Sequence, residues 1–172
     1  MSGDDKKRAL VTGASGLLGR HFAKTLARAG MRVALAARRI EALEATIKEI
    51  RSNGGEAIAV EMDVAESASV AEGMNTISNK FGELNVLVNN AGIATMRPLL
   101  EQTDEDWKRV LEVNLTGAWR VAQATAKQMA ASGNGGSIIH IASILGLRVA
   151  AQIPAYAGSK APVISFDARH GT

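Results

Sequence analysis

Short, almost wholly apolar runs alternate along this chain with longer segments of helical spacing, and glycine stands at many of the joints. Ala9-Leu10-Val11-Thr12 runs into Gly13. Leu17 to Ala29 places apolar residues at helical spacing (Leu18, Phe22, Leu26, Ala29) and stops at Gly30. A second apolar run covers Arg32 to Ala36. Ile40 to Arg51 reads as an amphipathic helix on Leu43, Ile47 and Ile50, ended by Asn53-Gly54-Gly55. Glu56 to Glu61 is a third strand, and Ser67 to Lys80 a helix closed by Gly82. Leu84 to Val88 is a fourth strand, Asp104 to Ala131 a long helix ended by Gly133-Asn134-Gly135-Gly136, and Ser137 to Ala142 a fifth strand. Strands without polar alternation suit a parallel sheet buried on both faces. Their alternation with helices predicts right-handed βαβ units in an α/β fold, a doubly wound parallel sheet.

Composition narrows the class. At 172 residues the chain can bury the core of one domain, and residues 1–172 are read as one, with no internal repeat or linker. Aromatic residues make up 3%, so the core is expected to be aliphatic. The net charge of +3 is spread along the chain, and Lys6-Lys7-Arg8, after Asp4-Asp5, reads as a solvated N-terminus. Nothing here predicts a nucleic-acid partner. Without cysteine there is no disulfide, thiol or cysteine-ligated metal chemistry. His21, His140 and His170 lack metal-ligand spacing, so no metal is expected. The N-terminus lacks the apolar core of a signal peptide, and no apolar run approaches the ~18 residues of a membrane span. The cytoplasm is the expected location.

Three local features carry chemistry. Thr12-Gly13-Ala14-Ser15-Gly16-Leu17-Leu18-Gly19 lies where the first strand should pass into the first helix. Glycine there permits a tight turn and close backbone approach to a pyrophosphate, and the helix N-terminus offers free N–H groups. The end of strand two should select the cofactor, an acid binding ribose hydroxyls and an arginine accepting a 2′-phosphate. No acid occurs between Met31 and Ile40, and Ala37 is followed by Arg38-Arg39. NADP(H), contacted by Arg38, is therefore expected ahead of NAD(H). Finally, Tyr156 and Lys160 stand four apart, one turn on a helix face. A free tyrosine has a pKa of about 10. A neighbouring cation favours the phenolate and would make Tyr156 a proton donor or acceptor for an alcohol oxygen.

With these motifs in order, the chain resembles the short-chain dehydrogenases/reductases, in particular the branch of 3-oxoacyl-carrier-protein reductases and gluconate 5-dehydrogenases. The resemblance runs from about Lys7 to Ala161. It rests on the glycine turn, Asp63-Val64, Asn89-Asn90-Ala91-Gly92, Val113-Asn114-Leu115-Thr116-Gly117, Ser143, and Tyr156 with Lys160. It implies a Rossmann-like fold and hydride exchange between a nicotinamide cofactor and a carbonyl or secondary alcohol. In that scheme Gly13, Ser15, Gly16, Leu18 and Gly19 hold the cofactor. Asp63 and Val64 border the adenine, and Asn90, Ala91 and Gly92 line the site, Asn90 also tying adjacent strands together. Tyr156 is the general acid/base, and Lys160 lowers its pKa and binds the nicotinamide ribose. Ser143 orients the substrate oxygen, and Asn114 holds a water that links Lys160 to solvent. The long helix commonly packs in a homodimer in this family, which makes Trp119 an interface candidate. Thr95, Met96 and Leu145 are candidates for the substrate side.

Two departures from the family pattern stand out. Leu17 occupies the place of the usual middle glycine, which here falls at Gly16. The chain also stops at Thr172, where the family adds a sixth strand, a substrate-covering loop and a seventh strand. The expected sheet therefore lacks its last two strands, and residues 137 to 141 form an exposed, β-prone edge. The ending Ala168-Arg169-His170-Gly171 resembles the approach to the sixth strand. Pro162 fits a helix that begins near Ser159 but would cost roughly 3 kcal/mol in a helix interior. Two alternatives to an active oxidoreductase follow: a cofactor-binding remnant without turnover, and an interaction fragment that pairs through strand five.

Overall fold

Successive residues of a β-strand point to opposite faces of its sheet, and in this chain both faces are apolar. The computed structural model describes residues 6–133, 135–148 and 151–166. Asp4-Asp5, His170 and the stretch from Ala168 to Gly171 lie outside them. Five strands, β1 (Arg8–Thr12), β2 (Arg32–Ala37), β3 (Glu56–Glu61), β4 (Val86–Asn89) and β5 (Ser137–His140), form one parallel sheet in the order β3-β2-β1-β4-β5. The helices are α1 (Leu17–Arg28), α2 (Glu44–Ser52), α3 (Ser67–Phe81), α4 (Asp104–Leu111), α5 (Ala118–Ser132) and α6 (Pro154–Ile164).

The alternation explains the layers. Val11, Val33, Leu35 and Val88 pack with Ala23 and Ala27 of α1 and Ile47 and Ile50 of α2. Their strand neighbours Leu10, Ala34 and Leu87 face the other way, onto Val70 and Ile77 of α3 and Val121 and Met129 of α5. Burying a leucine or valine side chain completely contributes roughly 1.5–3 kcal/mol, so both helix layers are held by the apolar runs read from the sequence. The strand order reverses between β1 and β4, whose connections leave in opposite directions and open a crevice at the carboxyl ends of the strands.

Three elements differ from the sequence expectation. The segment from Ile40 begins as a tight 3₁₀ turn (Ile40–Leu43) before α2. The expected long helix is divided by a π-helical segment, Glu112–Gly117, between α4 and α5. A Cβ at Gly117 would stand 2.8 Å from Val64 Cγ2 and 2.9 Å from the Val64 carbonyl oxygen, so the segment is seated directly on the backbone after β3. Finally, α6 starts at Pro154, not near Ser159, and holds Pro162 in its interior. Pro154 occupies the first turn, where a missing N–H costs nothing, while Pro162 leaves the Gly158 carbonyl without its helical donor.

β5 is hydrogen-bonded to β4 alone and is an edge of the described sheet, as expected, with Ile139 47% exposed. His140 closes that strand. Its Nδ1 lies 3.5 Å from Asn89 Nδ2, and its ring meets Phe166 edge-on at 5.3 Å. Burial, reinforced by the Lys160 charge, holds its pKa below the ordinary 6.5. No described helix is long and apolar enough to cross a membrane.

Two outcomes are expected. Gly117→Ala should destabilise the chain by about 1–3 kcal/mol in urea unfolding; an unchanged midpoint would show that Val64 yields freely. Because folding depresses the His140 pKa, its contribution is intact above 6.5 and is lost as pH falls below that value. Wild type should therefore lose more stability than His140→Gln on going from about pH 7.5 to about pH 5. Equal losses would rule out His140 as the group responsible.

Candidate active site

The site is assembled where β1 and β4 end. Thr12 is fully buried, and its Oγ1 accepts from the backbone N–H groups of Asn90 and Ala91, both at 3.0 Å, while its hydroxyl donates to Asn89 Oδ1 at 3.3 Å. Asn90 Nδ2 donates to the carbonyls of Thr12 (3.0 Å) and Gly13 (3.3 Å), and Asn89 Nδ2 to that of Ala118 (2.7 Å). The two turns are thus laced into one surface. Gly13 has φ +62, and a Cβ there would lie 2.8 Å from Ala91 Cα. A Cβ at Gly19 would collide with the Gly13 carbonyl oxygen. Gly16 is different: the nearest atom to its Cβ position is 3.4 Å away and its φ is −79, so packing does not demand glycine there.

Gly16 is the N-cap of α1, with no side-chain cap and no acid in the first turn of the helix. The N–H groups that a cap would have taken are left for a ligand. Leu17 and Leu18 follow on the rim, 88% and 56% exposed. At the end of β2, Ala37 is buried, and Arg38, the next residue, is exposed. After β3, Asp63 accepts from the Ala65 N–H at 3.0 Å, and its own N–H donates to Ser69 Oγ at 2.9 Å. Asp63 therefore shapes the strand-end turn; the N-cap of α3 is Glu66, without a side-chain cap.

On the other side, Lys160 of α6 is 5% exposed, and its Nζ donates to the Ile141 carbonyl at 2.6 Å. Burial pushes its pKa below 10.5. Nζ lies 5.8 Å from the centre of the Tyr156 ring. Behind them Asn114, on the π-helical segment and 1% exposed, accepts from the Ile93 N–H at 2.8 Å and donates to the Ile93 carbonyl at 2.9 Å. It also donates to Ser159 Oγ at 2.9 Å, whose hydroxyl donates to the Tyr156 carbonyl at 2.7 Å. Ser143 follows the end of β5, and its Oγ accepts from the Leu145 N–H at 3.2 Å. A Cβ at Gly146 would stand 2.9 Å from the Lys160 carbonyl, so the Ser143 turn rests on α6.

A cleft of about 590 Å³ joins these parts. Every residue assigned to the cofactor lines it: Gly13, Ser15, Gly16, Leu18 and Gly19; Arg38, Asp63 and Val64; Asn90, Ala91 and Gly92; Tyr156 and Lys160. Asn114 and Ser143 do not. Asn114 sits behind the wall, and Ser143 stands two residues past the lining residue Ile141. Thr95, Met96 and Leu145 are not part of the cleft either. Trp107 packs over Gly158, where a Cβ would lie 3.0 Å from its Cη2, so it braces α6; Trp119 is 49% exposed. The sequence reading missed Ser159, whose part depends on a helix distant in sequence. It also missed Arg109, which lines the cleft from α4; nothing in its local sequence separates it from other helix-surface cations. Among the described residues no cluster of histidine or acid side chains could hold a metal.

The family model described as short chain dehydrogenase matches residues 7–170. A 3-oxoacyl-[acyl-carrier-protein] reductase of Synechocystis is 42% identical over 159 residues, 92% of this chain and 64% of that protein. The crystal structure of an NAD+-bound xylitol dehydrogenase superposes with a TM-score of 0.89 at 34% identity, covering 95% of this chain and 63% of the other. An actinorhodin polyketide ketoreductase variant with NADPH gives 0.91 at 36% identity, covering 96% and 64%. The chain spans about 64% of the length of the curated relatives it matches. A match over nearly all its residues, with the glycine turn, the Asn89–Gly92 motif and the Tyr156–Lys160 pair meeting in one cleft, places this chain in the short-chain dehydrogenase family.

Proposed function

We propose that this chain is an NADP(H)-dependent oxidoreductase that interconverts a carbonyl and a secondary alcohol, with Tyr156 as general acid/base. The observation that carries this reading is the single cleft running from the uncapped α1 N-terminus to Tyr156 and Lys160. The fit to a dinucleotide is physical. Gly13 and Gly19 let the turn close tightly against Ala91 and α1, and the free N–H groups of α1 suit a diphosphate. Arg38, exposed on the cleft and in no ion pair among the described residues, suits a 2′-phosphate. NAD(H) is the second choice, and the two solved relatives carry one cofactor each.

The nicotinamide, when bound, supplies the hydride. The protein's part is proton transfer and orientation. The Tyr156 hydroxyl gives its proton to the substrate oxygen in reduction and recovers it in oxidation. Lys160, fixed by Ile141, sets a positive charge beside the phenol. To Ser143, which stands just outside the cleft, we assign the orientation of the substrate oxygen. Asn114 has one lone pair left on Oδ1 after its bonds to Ile93 and Ser159. A Cβ at Gly92 would lie 3.4 Å from that oxygen and 3.8 Å from Lys160 Nζ, so the glycine leaves both facing one small space. A water there would pass protons between Lys160 and solvent, and this is the role we assign to Asn114.

The test is a calorimetric titration with NADPH and with NADH, followed by turnover on ketones. NADPH should bind more tightly, and Arg38→Gln should weaken NADPH by roughly tenfold or more while sparing NADH. Equal affinities in wild type would remove Arg38 as selector. Tyr156→Phe should retain cofactor binding and lower turnover by about 10²–10⁴-fold; undiminished turnover would overturn its assigned role. Saturable binding without turnover in wild type would leave a cofactor-binding protein and reject catalysis by this chain.

A further inference from the structure

The charges lining the cleft are unequal: Arg38, Arg109 and Lys160 face it against a single acid, Asp63. Lys160 is committed to the Ile141 carbonyl, and Arg38 stands just past the end of β2. Arg109 comes from a different wall. It lies on α4, with Val113, also on the cleft, four residues later, and Gly117 four beyond that, seated on Val64. α4 therefore supplies a wall of the same cleft onto which the uncapped N-terminus of α1 opens. The acids nearest Arg109 along the chain leave it uncommitted. Asp106 pairs with Arg97 at 2.6 Å and Glu112 with Arg120 at 2.5 Å, while Glu105 makes no ion pair with it. Among the described residues the Arg109 guanidinium has no hydrogen-bond or ion-pair partner, and the residue is exposed. Its guanidinium can serve an anion at no loss to the fold.

We infer that Arg109 is a second cationic contact to the dinucleotide, engaging its diphosphate from the α4 wall. This rests on the cofactor reading above and adds a division of labour to it. Arg38 discriminates through the 2′-phosphate, whereas Arg109 serves the group that NADPH and NADH share. It is a binding residue without a part in proton transfer.

The experiment compares wild type, Arg109→Gln and Arg109→Lys by calorimetric titration with NADPH, NADH and ADP-ribose, which keeps the diphosphate but lacks the nicotinamide. Each is measured at low and at high salt. Arg109→Gln should weaken all three ligands by a similar factor, about tenfold at low salt. The deficit should shrink at high salt, where the charge is screened, and Arg109→Lys should recover most of the affinity. Wild-type affinity in Arg109→Gln would overturn the inference, as would a loss confined to NADPH or one indifferent to salt. Circular dichroism melts of the variants separate a binding loss from unfolding. Failure of the wild type to bind any of the three would instead reject the cofactor reading itself, and the inference with it.

Discussion

The buried amide of Asn114 holds the site together. Asparagine is a poor residue for a helix interior because its side chain competes for backbone groups. Here that competition is used. Both amide hydrogens and one oxygen lone pair of Asn114 are spent on the Ile93 backbone and on Ser159, which in turn holds the Tyr156 carbonyl. One side chain thereby joins the loop after β4, the α4–α5 helix pair and the helix that bears Tyr156 and Lys160. For a side chain only 1% exposed, leaving such groups unpaired would cost about 1–3 kcal/mol each. The π-helical turn presents Asn114 to these partners, and Gly117 seats that turn on Val64.

The same economy governs the cofactor side. Thr12 receives two backbone N–H groups from the loop after β4, and Asn90 returns two bonds to the turn after β1. The loops of two strands that diverge at the switch point become one rigid floor. Glycine is demanded where that floor meets another backbone, at Gly13 and Gly19, and not at Gly16, whose Cβ position is open. This accounts for the displaced middle glycine. A leucine at position 17 lies on the rim of the cleft, 88% exposed, so the turn folds without glycine there.

Much of this was legible in the chain. The apolar runs predicted the strands because both faces of the sheet are covered, and their order along the chain predicted the helices between them. The residues assigned to the cofactor all line the cleft, since each stands at the carboxyl end of a strand, in the turn that follows or in the first turn of α1, except the pair on α6. The division of the long helix was not legible. Its apolar spacing continues through 112–117, and the π turn is seated through Gly117 on Val64, far away in sequence. Nor was the start of α6, because Pro154 and Pro162 both fit a first turn by local rules, and packing against α4 and the Ser143 turn selects the earlier one.

By itself, then, the sequence determined the layers, the strand and helix alternation, and the chemistry available at the strand ends, because these depend on residue type and spacing alone. Tertiary structure decided which of those groups share a space. It set Lys160 against the Ile141 carbonyl, shut Asn114 behind the wall, left Ser143 outside the cleft and brought Arg109 into it. The physical reason is that hydrogen-bond satisfaction and close backbone contact are resolved between elements far apart in sequence, and spacing along one chain carries no record of them.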